Sequence, residues 1–354
     1  MRIKPLFGII AGVAIMAAAV SCSESDCVKV QKIWSGDAYC AFTSLMEHDG
    51  RYYCTFREGE SHVFDSNGNA EGKIRVITSR DGDKWESVAL LSKEGIDLRD
   101  PKICEMPDGR LMLLFGGSLY RNQVLQRCDP MVSFSSDGKN FSDPEIVVFE
   151  DGFVHNFDWL WDIKWKDGVG YSVGYDLEMG KRFLRLYKTT DGRHFSMMTD
   201  LGADLGVEEW PTEVAVDFLP DGRMALMVRC DAGSFMGWWG TSEAPFKDWK
   251  WNRMQYQLGG PDFVPYKKGI IAASRLYLPS KKTAVFLGSD DGWLFPVLLL
   301  PSDRDTSYPG LLLKDDELWV SYYSCHEGDP NHDMASIYLA KIPLKYFENQ
   351  TSVW

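Results

Sequence analysis

One short turn, written three times at nearly even spacing, restricts what this chain can fold into. It occurs as Ser79-Arg80-Asp81-Gly82-Asp83-Lys84-Trp85, as Ser135-Ser136-Asp137-Gly138-Lys139-Asn140-Phe141 and as Thr189-Thr190-Asp191-Gly192-Arg193-His194-Phe195. Each copy has a hydroxyl residue, an Asp able to accept from nearby backbone N–H groups, a Gly for a positive-φ position, and an aromatic three residues later to plug the turn onto a core. The closing aromatics are 56 and 54 residues apart, and Trp249 follows after another 54. A period of this length filled with short strand-like runs indicates an array of supersecondary units.

A second marker counts the units. The turns His48-Asp49-Gly50, Pro107-Asp108-Gly109, Lys166-Asp167-Gly168, Pro220-Asp221-Gly222, Lys267-Lys268-Gly269 and Lys314-Asp315-Asp316 each join two apolar runs as a hairpin would, and their middle residues step by 59, 59, 54, 47 and 47. That makes six units. The first reads as strands Cys40–Glu47, Arg51–Arg57, Lys73–Ser79 and Ser87–Ser92, and the second as Lys102–Glu105, Arg110–Phe115, Met131–Ser135 and Glu145–Phe149. The sixth lacks an outer strand after Ser336–Lys341, whereas Val28–Trp34 is a spare strand ahead of the first. Pairing the two closes a ring and hides its open edges. The expected fold is all-β, a six-bladed β-propeller over residues 28–354 with the N-terminal strand closing the ring and functional residues gathered where the inner strands converge.

Residues 1–22 read as a lipoprotein signal peptide: Arg2 and Lys4, an apolar run from Leu6 to Val20, then Ala19-Val20-Ser21 before Cys22. The Ala-Val-Ser-Cys ending resembles a bacterial lipobox, which implies lipid attachment at Cys22 and a short acidic tether over residues 23–27. The expected location is exported and anchored to a membrane through that lipid alone, facing either the periplasm or the cell surface. The formal net charge of −13 argues against nucleic acid as a partner. Seven further cysteines, at 27, 40, 54, 104, 128, 230 and 325, show no metal-ligand spacing and fall largely inside strand-like runs, so buried free thiols are expected, with no metal and no cofactor. The chain is expected to act as a monomer.

The repeated turns resemble the Asp-boxes of the sialidase (neuraminidase) superfamily, in a form one residue shorter than the commonest version. The fourth unit carries the resemblance further: Glu213 opens an inner strand, Asp221-Gly222 makes the turn, and Arg229 ends the next strand. Ser274-Arg275-Leu276 and Ser307-Tyr308-Pro309-Gly310-Leu311 are similar to the segments that hold the next family arginine and the family tyrosine. The resemblance implies a retaining glycosidase in which Tyr308 is the nucleophile, Glu213 its base, and Arg229 and Arg275 a clamp on a substrate carboxylate. The chemistry suits those residue types. A carboxylate on the anomeric carbon repels an Asp or Glu nucleophile, a neutral tyrosine activated by a Glu avoids that repulsion, and arginines grip carboxylates with paired N–H groups.

The chain also departs from the family. Where sialidases open the first unit with Arg-Ile-Pro, this sequence has Ala41-Phe42-Thr43-Ser44-Leu45, without the first clamp arginine. Arg57, in Phe56-Arg57-Glu58-Gly59-Glu60-Ser61-His62, and Arg99, in Asp97-Leu98-Arg99-Asp100-Pro101-Lys102, are the candidates to replace it, with a structural salt-bridge network as the alternative. The family's general acid corresponds to Asp65, with His62 and Glu58 as competitors. Trp210, in Glu208-Glu209-Trp210-Pro211, and the run Phe157-Asp158-Trp159-Leu160-Trp161-Asp162 could wall a sugar site, and His326-Glu327 is a further polar pair expected at the same mouth. The expected activity is exo-acting hydrolysis that removes a terminal acidic sugar, a sialic acid or a related keto-deoxy or uronic sugar, from an acidic oligosaccharide. Two readings stay open beside it: a uronate-directed lyase using His62, and a non-catalytic glycan-binding surface lipoprotein.

Overall fold

The computed structural model describes residues 28–178, 183–205, 208–328, 334–348 and 350. The signal peptide, tether and Cys22 expected from the sequence lie outside the described residues. Six small sheets, almost wholly antiparallel, follow one another along the chain and form a six-bladed β-propeller. Blade 1 holds Tyr39–His48, Arg51–Gly59, Lys73–Ser79 and Glu86–Leu91, and blade 2 holds Asp97–Glu105, Leu111–Arg121, Val124–Ser135 and Glu145–Ile146. Blade 3 runs through Asp158–Lys166, Val169–Asp176, Leu184–Thr189 and His194–Asp200, and blade 4 through Pro211–Phe218, Met224–Cys230, Trp238–Ser242 and Lys250–Arg253. Blade 5 comprises Asp262–Tyr266, Gly269–Leu276, Lys282–Gly288 and Leu294–Leu299; blade 6 comprises Thr306–Lys314, Glu317–Ser324 and Ser336–Pro343.

The ring closes as expected. Lys29–Trp34 adds antiparallel to Ser336–Pro343, with Lys29 opposite Lys341 and Val30 opposite Ala340, so the first strand completes the last blade. Strands of this kind bury both faces, because each blade is packed between two neighbours. In Ser336–Pro343, Ile337 and Leu339 join one apolar cluster while Tyr338, Ala340 and Ile342 join another. The core is therefore divided into layers between blades, such as Tyr53, Val76, Leu113 and Phe115 between blades 1 and 2. Cys40, Cys54, Cys128, Cys230 and Cys325 are buried and Cys104 is half-buried, and none of the six is in a disulfide among the described residues.

The repeated turns join the third and fourth strands of blades 1 to 3. Asp81 Oδ1 accepts from the N–H groups of Asp83 and Lys84, both at 2.9 Å, and Asp137 and Asp191 repeat the arrangement. Gly82, at φ 71°, needs its missing side chain twice over, since a Cβ there would lie 2.2 Å from the Trp319 ring of blade 6. Blade 5 carries a variant in which the aromatic directly follows the glycine, Ser289-Asp290-Asp291-Gly292-Trp293, with Trp293 N–H donating to Ser289 Oγ at 3.1 Å. The outer strand of blade 2 departs from its expected range. Glu145–Ile146 pairs within blade 2, but Val148–Phe149 crosses to run parallel with His194–Asp200 of blade 3, because Val147 donates its N–H back to Pro130 and frees the next residues to switch sheets.

Candidate active site

Five of the six inner strands begin with a bulge. The register slips between Ala41 and Ser44, Arg99 and Lys102, Leu160 and Ile163, Pro211 and Val214, and Ser307 and Gly310. A bulge inserts an unpaired residue and re-aims its side chain. Here the re-aimed residues include Phe42, Asp100, Trp161, Glu213 and Tyr308, all buried. Phe42, Asp100 and Tyr308 sit at φ 65°, 53° and 50°, a left-handed conformation that costs a non-glycine residue about 1–2 kcal/mol. The bulges lie at the start of the inner strands, opposite the Asp-Gly turns, and bring residues from five blades to one end of the axis.

Tyr308 donates its phenolic hydrogen to Glu213 Oε1 at 2.6 Å. Arg229 Nη1 reaches both, at 2.8 Å from Glu213 Oε1 and 3.0 Å from Tyr308 Oη, while its Nε donates to Asp231 Oδ1 at 2.8 Å. The second Glu213 oxygen accepts from Gly260 N–H at 2.7 Å. Burial alone would raise the Glu213 carboxyl, but the Arg229 charge and the hydrogen bonds from Arg229, Tyr308 and Gly260 hold it below its ordinary range. The Tyr308 hydroxyl is pushed well above its ordinary value by burial and by the Glu213 charge, against the pull of Arg229 and Arg275. The resting pair is thus a neutral phenol beside a carboxylate that can take its proton.

The tyrosine ring is held on every side. It packs edge-on against Phe42 and Trp161, with centroids 4.9 Å and 5.6 Å away, and lies under the Arg275 guanidinium at 5.4 Å. Its carbonyl accepts from Thr43 Oγ1 at 2.8 Å. Gly260, at φ 56°, forms the floor, where a Cβ would come within 2.4 Å of the ring. Arg275 donates from Nη2 to Asp305 Oδ1 and Tyr323 Oη, both at 2.9 Å, and from Nε to the Thr306 carbonyl at 2.8 Å. Asp305 Oδ2 in turn accepts from His62 Nδ1 at 2.6 Å and from the Tyr39 hydroxyl. Burial would raise Asp305, yet His62, Arg275 and Tyr39 together hold its carboxyl well below the usual range.

Tyr308, Glu213, Arg229 and Arg275 thus come together, and His62 reaches the group through Asp305. Other sequence candidates stand elsewhere. Arg57 is 1 % exposed and its guanidinium is consumed by Asp97, by the Ser61 carbonyl at 2.8 Å and by the Val63 carbonyl at 3.4 Å, so it ties down the loop after the first hairpin. Arg99 shares Asp97 and donates to the His62 carbonyl at 3.1 Å, with its guanidinium 5.8 Å from the Phe42 ring. Asp65 turns its carboxylate into its own loop, where Asn67 N–H and Asn69 N–H both donate at 2.8 Å and hold the carboxyl below its ordinary range. Glu58 is paired with Arg75 at 2.8 Å, Glu327 with Lys32 at 2.6 Å on the closing strand, and Trp210 donates to the Asp176 carbonyl at 3.2 Å.

The sequence reading passed over Asp100. It is 8 % exposed, its Oδ1 has no hydrogen-bond partner among the described residues, and it lines a closed crevice, too narrow for a water, with Phe42, Thr43, Pro101, Lys102, Trp161 and Tyr308. Burial, reinforced by the Glu213 charge and opposed by Arg99, pushes its carboxyl up to about 7. Lys102 caps the Trp161 ring at 4.9 Å on the same side. The available signal was positional: Arg99-Asp100-Pro101 falls at the start of the second inner strand, as Ser307-Tyr308-Pro309 does at the start of the sixth. No group of three or more potential metal-ligating residues is found among the described residues.

No protein-family model matches the chain, and no curated protein matches its sequence. Solved structures do match its shape. A protein of unknown function from Dyadobacter fermentans superposes with a TM-score of 0.76 at 16% identity, covering 89% of this chain and 99% of the other. The Trypanosoma rangeli sialidase gives 0.69 at 16% identity over 89% of this chain and 56% of its own length, so the chain spans little more than half of that enzyme. The Penicillium chrysogenum α-L-arabinanase gives 0.65 at 15% identity over 87% and 94%. The chain shares its six-bladed propeller with these glycoside hydrolases.

Proposed function

We propose that this chain is an exo-acting, retaining glycoside hydrolase that removes a terminal acidic sugar from an oligosaccharide, with Tyr308 as nucleophile. The observation that carries the reading is the 2.6 Å hydrogen bond from the Tyr308 hydroxyl to Glu213, with Arg229 bound to both. Glu213 takes the phenolic proton as Tyr308 oxygen bonds to the anomeric carbon and the glycosidic C–O bond breaks. In the second half, water displaces the tyrosine and Glu213 returns the proton. A neutral nucleophile suits an anomeric carbon that already bears a carboxylate. In this reading Arg229 and Arg275 grip that carboxylate with N–H groups not already taken by Asp231 and Asp305. Export and lipid attachment at Cys22 fit an enzyme that meets glycans outside the cytoplasm, and loss of lipid labelling in Cys22→Ser tests that part.

The test is release of a free acidic monosaccharide from a panel of sialosides, ulosonic-acid glycosides and uronic-acid glycosides, followed by mass. A saturated free sugar lost in Tyr308→Phe supports the reading. Full activity of Tyr308→Phe rules out the tyrosine nucleophile. One observation favours a second reading: His62 is oriented by Asp305 at 2.6 Å and half exposed, as a base abstracting a proton beside a uronate carboxylate would be. A product lighter by one water, lost in His62→Ala, identifies that lyase.

A further inference from the structure

Hydrolysis through Tyr308 requires a proton for the departing oxygen, and neither Tyr308 nor Glu213 can supply it while they exchange their own. Asp65, the residue the family resemblance points to, has its carboxylate taken up by the backbone of residues 67–69 and stays ionised. His62 Nδ1 is bound to Asp305 Oδ2 at 2.6 Å, and its ring packs edge-on against Phe42 with centroids 5.2 Å apart, so its orientation is set by Asp305 and Phe42. Asp100 differs from both. Its carboxyl is nine-tenths buried, one oxygen has no partner among the described residues, and it lines the same narrow, closed crevice as the Tyr308 ring.

We propose that Asp100 is the general acid of the site, protonating the glycosidic oxygen in the first step and activating water in the second. The inference rests on the hydrolase reading above. In the first step the carboxyl proton of Asp100 moves to the aglycone oxygen as the C–O bond breaks and its electron pair stays on that oxygen. In the second, the Asp100 carboxylate takes a proton from water while the water oxygen bonds to the anomeric carbon; Tyr308 leaves with the bonding pair and recovers its proton from Glu213. One group thus serves as acid and then as base.

Its surroundings suit the role. Arg99 and Lys102 favour the ionised form; burial, Glu213 and Asp97 oppose it. The Tyr175 and Tyr308 hydroxyls, the Cys128 thiol and the Arg57 guanidinium complete the titratable groups around it. Burial is the largest influence, leaving the carboxyl near half-protonated at neutral pH. Asp100 and Tyr308 share a positive φ and a following proline, and both line one crevice with Phe42 and Trp161. A turn or salt-bridge role does not call for an unpartnered buried oxygen, which costs about 1–3 kcal/mol.

The test separates leaving groups. Two glycosides of the sugar identified in the panel are compared: the natural oligosaccharide, whose leaving oxygen needs a proton, and the 2,4-dinitrophenyl glycoside, whose leaving oxygen does not. Asp100→Asn is expected to lower kcat/KM for the oligosaccharide by about 10²–10⁴-fold. For the dinitrophenyl substrate, glycosylation should change less than about tenfold in a pre-steady-state burst. Wild-type enzyme supplies an arm independent of folding: its activity on the oligosaccharide should fall above about pH 7, while the burst with the dinitrophenyl substrate should not. Equal losses on both substrates in a folded variant, a flat wild-type profile, or the leaving-group split appearing in Asp65→Asn instead would each overturn the assignment. In those cases Tyr308-dependent turnover would still uphold the hydrolase. Absence of any Tyr308-dependent turnover would remove the hydrolase and this inference together.

Discussion

Tyr308 and Glu213 stand 95 positions apart in the chain and are joined by a 2.6 Å hydrogen bond. Each is delivered by a bulge at the start of an inner strand, in blades 6 and 4, and the two meet across the axis. Tyr308→Phe deletes only the oxygen. Glu213 keeps Arg229 and Gly260, so the melting midpoint should move by about 1 kcal/mol in free energy or less. Glycosidase kcat/KM should fall by roughly 10³-fold or more. A Tyr308→Phe protein that is inactive because it is unfolded, shown by circular dichroism, would contradict this division of roles.

Gly260 supports both partners, with its N–H on Glu213 and its α-carbon under the Tyr308 ring. Gly260→Ala places a methyl group 2.4 Å from the ring at φ 56°. Because the site is closed around the ring, the expected outcome is a stability loss of about 1–3 kcal/mol together with loss of activity. Denaturant midpoints and turnover measured on the same sample decide it; an unchanged midpoint would mean that the floor yields.

Arg57 and Asp97 form a buried pair at 2.8 Å, exposed by 1% and 0%. Removing one member leaves a buried charge short of its partner. Arg57→Met should therefore destabilise by about 3–5 kcal/mol and loosen the loop over residues 59–72 toward protease. Limited proteolysis compared with wild type reports on the loop. A variant as resistant and as stable as wild type would restore Arg57 as a candidate for substrate contact.

The Asp100 carboxyl, at about 7, lies above its ordinary value near 4. Between those pH values the folded state holds a proton that the unfolded chain has released, so stability falls as pH rises through that window. Above pH 7 the cost of keeping this group ionised and buried is fully present. Asp100→Asn should abolish that slope and stabilise the protein by roughly 2–4 kcal/mol at pH 8, with little change at pH 4. Melting curves across pH 4 to 8 measure it. Identical slopes in the two proteins would show that Asp100 is ionised throughout.

Much of the fold was legible because it is written in local turn chemistry. An Asp and a Gly at fixed offsets make the same turn whatever surrounds them, and six hairpin turns count six blades. The closing strand was legible because an unpaired strand at one end and a missing one at the other have a single solution that leaves no open edge. Blade 2's outer strand was misjudged in its range because the switch of Val148–Phe149 to blade 3 depends on a neighbouring sheet that no local pattern describes.

By itself, the sequence determined the number of blades, the closure of the ring, and the Glu, Arg, Arg and Tyr that the site brings together. Tertiary structure decided which of the remaining charges face that site. Arg57 and Asp100 look alike in one dimension, each a charged residue near the top of a strand. Arg57 lies on a regular strand whose alternation carries it beneath the surface to Asp97, whereas Asp100 occupies a bulge that adds a residue, breaks that alternation and sets it in one crevice with Tyr308. Strand pairing sets that alternation, and pairing with a distant partner is what a linear pattern leaves open.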